Sequence, residues 1–214
     1  MESINVILIS VAFILALFAI YILYAILMYQ GNKGSKGNEL QLSTKNILDQ
    51  VEILFEKGEY ALVQLLATKY LDRVPNHPEV RQYLANAYYK DKKYNNAIKH
   101  SLIILKRDPN NINTRKLLGD CFIQKQLLSK AIKEYESIFE YRSTDKDVVR
   151  TLAELYRETE QIYSSISVYN ILSDLMDKNE DIADVQLILA ELNEEARDYP
   201  AAFEAYKTRL GIYP

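Results

Sequence analysis

Two different hydrophobic patterns divide the chain. From Ile4 to Tyr29 there is no charged residue, and only Asn5 and Ser10 are distinctly polar. As an α-helix, Val6–Tyr29 would be about 36 Å long, enough to cross a hydrocarbon core of about 30 Å with some tilt. Tyr21, Tyr24 and Tyr29 stand toward one end, as an interfacial aromatic belt does. A cleaved signal peptide needs a basic start, a shorter apolar run and a small-residue cleavage site, whereas this chain begins Met-Glu-Ser and its run is long. Residues 1–29 therefore read as an uncleaved transmembrane anchor. Gly31–Asn38 holds three of the six glycines, and 30–43 reads as a flexible linker. From residue 44 onward the apolar positions follow a helical period, broken at regular turns.

The second pattern repeats. Tyr60 and Tyr94, Pro75 and Pro109, Ala97 and Ala131, and Leu84, Leu118 and Leu152 recur at a spacing of 34. This resembles the tetratricopeptide repeat, a helix-turn-helix unit of that period. The units run over 44–77, 78–111, 112–145, 146–182 and 183–214, the fourth being three residues long by the period. The second is the clearest, with Leu84, Ala85 and Tyr88 in its first helix, Tyr94, Ala97, Ile98 and Leu105 in its second, and Pro109 closing it. Small residues at Ala85, Gly119, Ala153 and Ala190, and at Ala97, Ala131, Ser165 and Ala202, let paired helices approach. The expected fold is all-α: an N-terminal transmembrane helix followed by a right-handed superhelix of about five repeats. The last unit stops at Pro214 without a polar capping helix, which predicts a longer natural chain.

Composition narrows the function. The 26 Lys+Arg against 29 Asp+Glu give a net charge of −3, without the basic excess of a nucleic-acid binder. The balance hides a partition: residues 31–143 sum to +6 and residues 144–214 to −8. One Cys and two His exclude a disulfide framework and a multi-cysteine metal site. His77, in Pro-Asn-His-Pro, reads as a solvated turn residue, His100 as a surface residue and Cys121 as a small buried hydrophobe. No catalytic constellation or phosphate loop occurs, so no enzyme activity, cofactor, metal or small-molecule substrate is expected.

The resemblance implies a concave groove lined by the first helices, where protein partners lie. Carrying over its positions gives Gln82, Asn86 and Tyr89, then Lys116, Asp120 and Ile123, then Arg150, Glu154 and Arg157. The i,i+4 pairs Lys116–Asp120 and Arg150–Glu154 read as simple surface pairs on the alternative view. The Lys/Asn/Arg clamp that holds chaperone C-termini is missing in either register. The layout also resembles the bacterial lipopolysaccharide-assembly adaptors, which have an N-terminal membrane helix and a cytoplasmic repeat array, although their two CxxC pairs are absent. That likeness implies a membrane-anchored adaptor acting in envelope lipid or lipopolysaccharide assembly. Lys33, Lys36 and Lys45 follow the apolar run, which places the repeats in the cytoplasm, anchored in the inner membrane. The alternative is an extracytoplasmic assembly or secretion factor.

Overall fold

A computed structural model describes residues 45–176 and 180–212. The expected anchor over 1–29 and linker over 30–43 lie outside the described residues. Among those described, no helix is long and apolar enough to cross a membrane. The chain divides into two compact units, Met1–Ile53 and Leu54–Pro214. In the first, the described residues are helical, and Gln50 Nε2 donates to Asn46 Oδ1 at 2.7 Å.

All the described elements are helices. The first, α1, spans 45–56. It is followed by α2 (Tyr60–Arg73), α3 (Pro78–Lys90), α4 (Tyr94–Leu105), α5 (Ile112–Gln124), α6 (Leu128–Phe139), α7 (Lys146–Glu158), α8 (Ile162–Leu175), α9 (Glu180–Glu195) and α10 (Tyr199–Ile212). Within the second unit each helix from α2 onward packs against the next in sequence, and α3 also touches α5. This is the contact pattern of a solenoid, in which units meet only their neighbours. The α3–α5 contact, with none between α2 and α4 or α4 and α6, places α3 and α5 on the inner side of their hairpins and α2, α4 and α6 on the outer side.

The turns repeat as regularly as the helices. Gly58, Lys92, Gln126 and Glu160 are 34 apart, and all four have a positive φ of 57–76°. The fifth such residue, Arg197 (φ 62°), comes 37 after Glu160, so the extra three residues lie between those turns. Only the first turn uses glycine. The other four hold an L-residue in the left-handed region, at an intrinsic cost of about 1–2 kcal/mol each, which the packed hairpin sustains. The starts of the first helices are periodic too. His77, Asn111 and Asp145 are the N-caps of α3, α5 and α7, and each side chain accepts a backbone N–H: from Val80, Thr114, and Asp147 and Val148. α9 starts at Glu180, inside the range assigned from sequence to the fourth unit.

The expected small residues are in the interior of the hairpins. Ala85, Ala97, Ala131, Ala153, Ser165 and Ala190 are fully buried, and Ala202 nearly so. Ser165 keeps its hydroxyl satisfied by donating to the Ala153 carbonyl at 3.1 Å, across the hairpin. The main core cluster runs from Leu118 through Leu152 and Leu172 to Ala205. Cys121 is buried and free, its thiol pushed up to about 12 by burial and by Asp120.

Both histidines depart from the sequence reading. His77 is an N-cap, not a solvated turn residue: its side chain is only 15% exposed, its ring meets Tyr70 edge-on at 5.6 Å, and Nδ1 accepts from Val80 N at 3.4 Å. His100 is half-buried rather than on the surface. It stacks on Tyr88 at 5.5 Å, and Arg81 Nη1 lies 3.2 Å from its Nδ1. The same guanidinium donates to the Pro75 carbonyl at 2.5 Å. One repeat later, Arg115 donates to the Pro109 carbonyl at 2.8 Å and to Glu134 at 2.9 Å. Arg81 and Arg115 thus tie the turn before each hairpin to its second helix.

Burial, then Arg81 and Lys99, lower the His100 pKa to about 4. Between the ordinary value near 6.5 and this value the unfolded chain binds a proton that the folded chain refuses. This contribution is complete above pH 6.5 and is lost as pH falls toward 4. The melting temperature should therefore drop between pH 7 and pH 5, and His100→Gln should flatten that slope. An unchanged slope in the variant would remove His100 as the cause.

Candidate functional site

The nine residues expected to line the groove lie on α3, α5 and α7, the first helices of three successive hairpins. Seven are half-buried, and Glu154 and Arg157 are exposed. On α3, Gln82 Nε2 donates to Asn86 Oδ1 at 3.5 Å, and Gln82 Oε1 accepts from the Thr114 hydroxyl of α5. Tyr89 tilts against Tyr94, with ring centroids 5.8 Å apart. Ile123 packs at the margin of the main core, so its apolar surface is only partly available.

Asp120 organises the middle of the site. Its Oδ1 accepts from the hydroxyl of Tyr135 at 2.5 Å. Tyr135 belongs to α6 and is 1% exposed, so a core side chain reaches through to the groove. Burial raises the Asp120 pKa, opposed by the Tyr135 hydrogen bond and by Lys116. Burial also raises the Tyr89 phenol, and the Asp120 charge adds to it. Tyr89, Lys116, Asp120 and Tyr135 therefore form one electrostatic group. Lys116 makes its ion pair with Asp147, on the next inner helix, at 4.0 Å, and not with Asp120 as the i,i+4 spacing suggests. Arg157, Glu154 and Arg150 form a second group, all three acting on the phenol of Tyr169, which burial raises.

A cleft of about 600 Å³ opens beside Gln82 and Asn86. It lies between the α2–α3 and α4–α5 turns, and Arg81, Arg107 and Asn113 line it. The Arg107 guanidinium crosses to Asn76 Oδ1. The sequence reading missed these residues. The available signal was the 34-residue spacing of Arg81 and Arg115, each six residues after a closing proline. Along α3, α5 and α7 these side chains set amide groups at one end, a half-buried carboxylate with a tyrosine in the middle, and two exposed charges at the other. Among the described residues, no group of three or more His, Cys, Asp or Glu could hold a metal ion.

Comparison with known proteins agrees with this architecture. The profile of the family described as anaphase-promoting complex, cyclosome, subunit 3 (ANAPC3) matches residues 56–138. No curated protein matches the sequence. Among solved structures, MamA of Desulfovibrio magneticus RS-1 is similar over 78% of this chain and 93% of its own, at 17% identity and a TM-score of 0.65. MamA of AMB-1 is similar over 77% and 88%, at 18% identity and 0.67. Another MamA structure covers 79% and 91%, at 16% and 0.68. At these identities the likeness is one of fold. Together with the 34-residue turns, caps and contacts, it makes the repeat region of this chain a tetratricopeptide-type solenoid.

Proposed function

We propose that the protein is a scaffold that binds segments of partner proteins along the inner face of α3, α5 and α7. The observation that supports this most is the row of half-buried and exposed polar groups that these adjacent helices present, centred on Asp120. Exposed and half-buried polar and aromatic side chains on such a face are the usual elements of recognition. The apolar run over 4–29 would hold this scaffold in a membrane, with the lysines at 33, 36 and 45 on the cytoplasmic side. The resemblance to lipopolysaccharide-assembly adaptors extends the proposal to control of envelope lipid assembly through captured membrane-protein partners.

The test is capture of partners from solubilised membranes by the full chain and by Lys116→Glu and Arg150→Glu. The Lys116 side chain is half-exposed and that of Asp147 well exposed, so breaking their ion pair should cost the fold at most about 1 kcal/mol. Loss of specific partners in both variants, with unchanged melting temperature, is the expected result. Capture of the same proteins at the same yield would place the binding site elsewhere.

A further inference from the structure

The outer helices carry a second surface, on the side of the solenoid away from the groove. Leu62 and Leu65 on α2 are 47% and 67% exposed, and Leu102 and Ile103 on α4 are 51% and 36% exposed. Among them stand the exposed Lys69, Lys99, Lys130 and Lys133. The repeat register aligns them: Leu65, Lys99 and Lys133 occupy one position on three successive outer helices, and Leu62, Asn96 and Lys130 a neighbouring one. None of the four lysines forms an ion pair among the described residues. Lys130 Nζ lies 5.7 Å from the centre of the Phe122 ring, a contact that leaves its charge uncompensated. Carboxylates are nearly absent from this face. α4 contains none, and α2 contains only Asp72. The two on α6 are engaged: Glu134 with Arg115 at 2.9 Å, and Glu136 with the Tyr156 hydroxyl at 2.6 Å. The pattern stops at α8, which has no Lys or Arg.

We propose that the outer face of α2, α4 and α6 docks on an anionic phospholipid bilayer, with Leu62, Leu65 and Leu102 entering the headgroup region and the four lysines facing the lipid phosphates. Lysines without a carboxylate partner are drawn to the negative surface potential of such a leaflet. Their long stems let the ammonium groups stay at phosphate level while neighbouring leucines go deeper. The composition favours lipid over protein, because protein interfaces are depleted in lysine and enriched in aromatic residues. The outward positions of these three helices hold lysine, aliphatic and small polar side chains without an exposed aromatic ring. The face is separate from the groove, so the proposal does not depend on partner binding. A membrane segment over 4–29 would keep the face near a bilayer, but the assay below reads the face itself.

The experiment uses the full chain with a single added cysteine, Leu102→Cys on the outer face or Asn170→Cys on α8, each carrying an environment-sensitive fluorophore. Cys121 is buried and stays unlabelled. The labelled chain is placed with vesicles of phosphatidylcholine alone, or of phosphatidylcholine with phosphatidylserine. The expected result is a blue shift of the Leu102→Cys label only where phosphatidylserine is present. The Asn170→Cys label should not shift. High salt should abolish the shift, as should the triple variant Lys99→Glu, Lys130→Glu, Lys133→Glu. Equal emission on both vesicle types would overturn the proposal. So would a shift that grows with protein concentration without lipid, which would assign the face to the acidic half of a second copy. Resistance of the chain to alkaline extraction reports separately on residues 4–29, so failure of the anchor and failure of this face are told apart.

Discussion

Tyr135→Ala should destabilise the repeat region by about 3–5 kcal/mol, read as a lower urea midpoint. Tyr135 is among the largest fully buried side chains, and it belongs to the cluster that continues from α5 to α10. Removing the ring opens a cavity between α5 and α6 that rigid helices cannot fully close. It also strips Asp120 of the hydroxyl that donates to it at 2.5 Å. In a solenoid the loss falls on the central hairpin and on both of its neighbours, because stability is close to a sum of units and nearest-neighbour interfaces. The transition should therefore broaden as the two ends become less coupled. Tyr135→Phe separates the two contributions: it keeps the ring and should cost only about 1 kcal/mol, the net value of one hydrogen bond. Equal losses in both variants would show that the Asp120 contact, not the packing, dominates.

The repeat was legible because its signals are local and recur. Two helices in close contact need a residue without bulk at the crossing, so Ala85, Gly119, Ala153 and Ala190 mark the first helices, and Ala97, Ala131, Ser165 and Ala202 the second. The structure places all of them in the interior. The left-handed turns were less legible, because only Gly58 announces one, while Lys92, Gln126, Glu160 and Arg197 adopt the same φ under the constraint of the hairpin. The N-caps at Asn111 and Asp145 are residues that favour that position, but His77 caps α3 in their place and so read as a plain turn residue.

The helices that carry the expected groove residues followed from the repeat register, but the partners of those side chains did not. Lys116 has Asp120 four residues on, the spacing that suggests a pair. Asp120, however, accepts from Tyr135, which lies on a different helix, and the lysine turns to Asp147, thirty-one residues away. His100 and Arg81 meet across a hairpin, nineteen residues apart. Such contacts depend on the relative rotation of two helices, which no single helix encodes. The charges of Arg150, Glu154 and Arg157 act on the phenol of Tyr169, on the following helix, for the same reason.

Gly119→Val should cost about 3 kcal/mol, the upper end of what overpacking a filled interior costs. A Cβ at Gly119 would lie 2.7 and 2.9 Å from Cε2 and Cδ2 of the Tyr135 ring, so even one added carbon does not fit in place. The next repeat shows how a single carbon could be admitted: there Ala153 stands at the position of Gly119 and Tyr169 at that of Tyr135. Tyr169 is not held by a hydrogen bond to Glu154, whereas Tyr135 is fixed by Asp120. Gly119→Ala should therefore displace the Tyr135 ring and weaken its bond to Asp120. The loss should be near 1 kcal/mol, once the higher helix propensity of alanine is counted in its favour. In a Tyr135→Phe background that bond is already gone, and the alanine should cost less. A double-mutant cycle on melting temperatures measures the difference, and a coupling of about 0.5–1 kcal/mol is expected. Strict additivity would mean that the ring gives way without involving Asp120, and the groove carboxylate would then be independent of the packing beneath it. The two branched methyls of valine find no space in either background, so Gly119→Val should remain destabilising by about 3 kcal/mol whether or not Tyr135→Phe is also present.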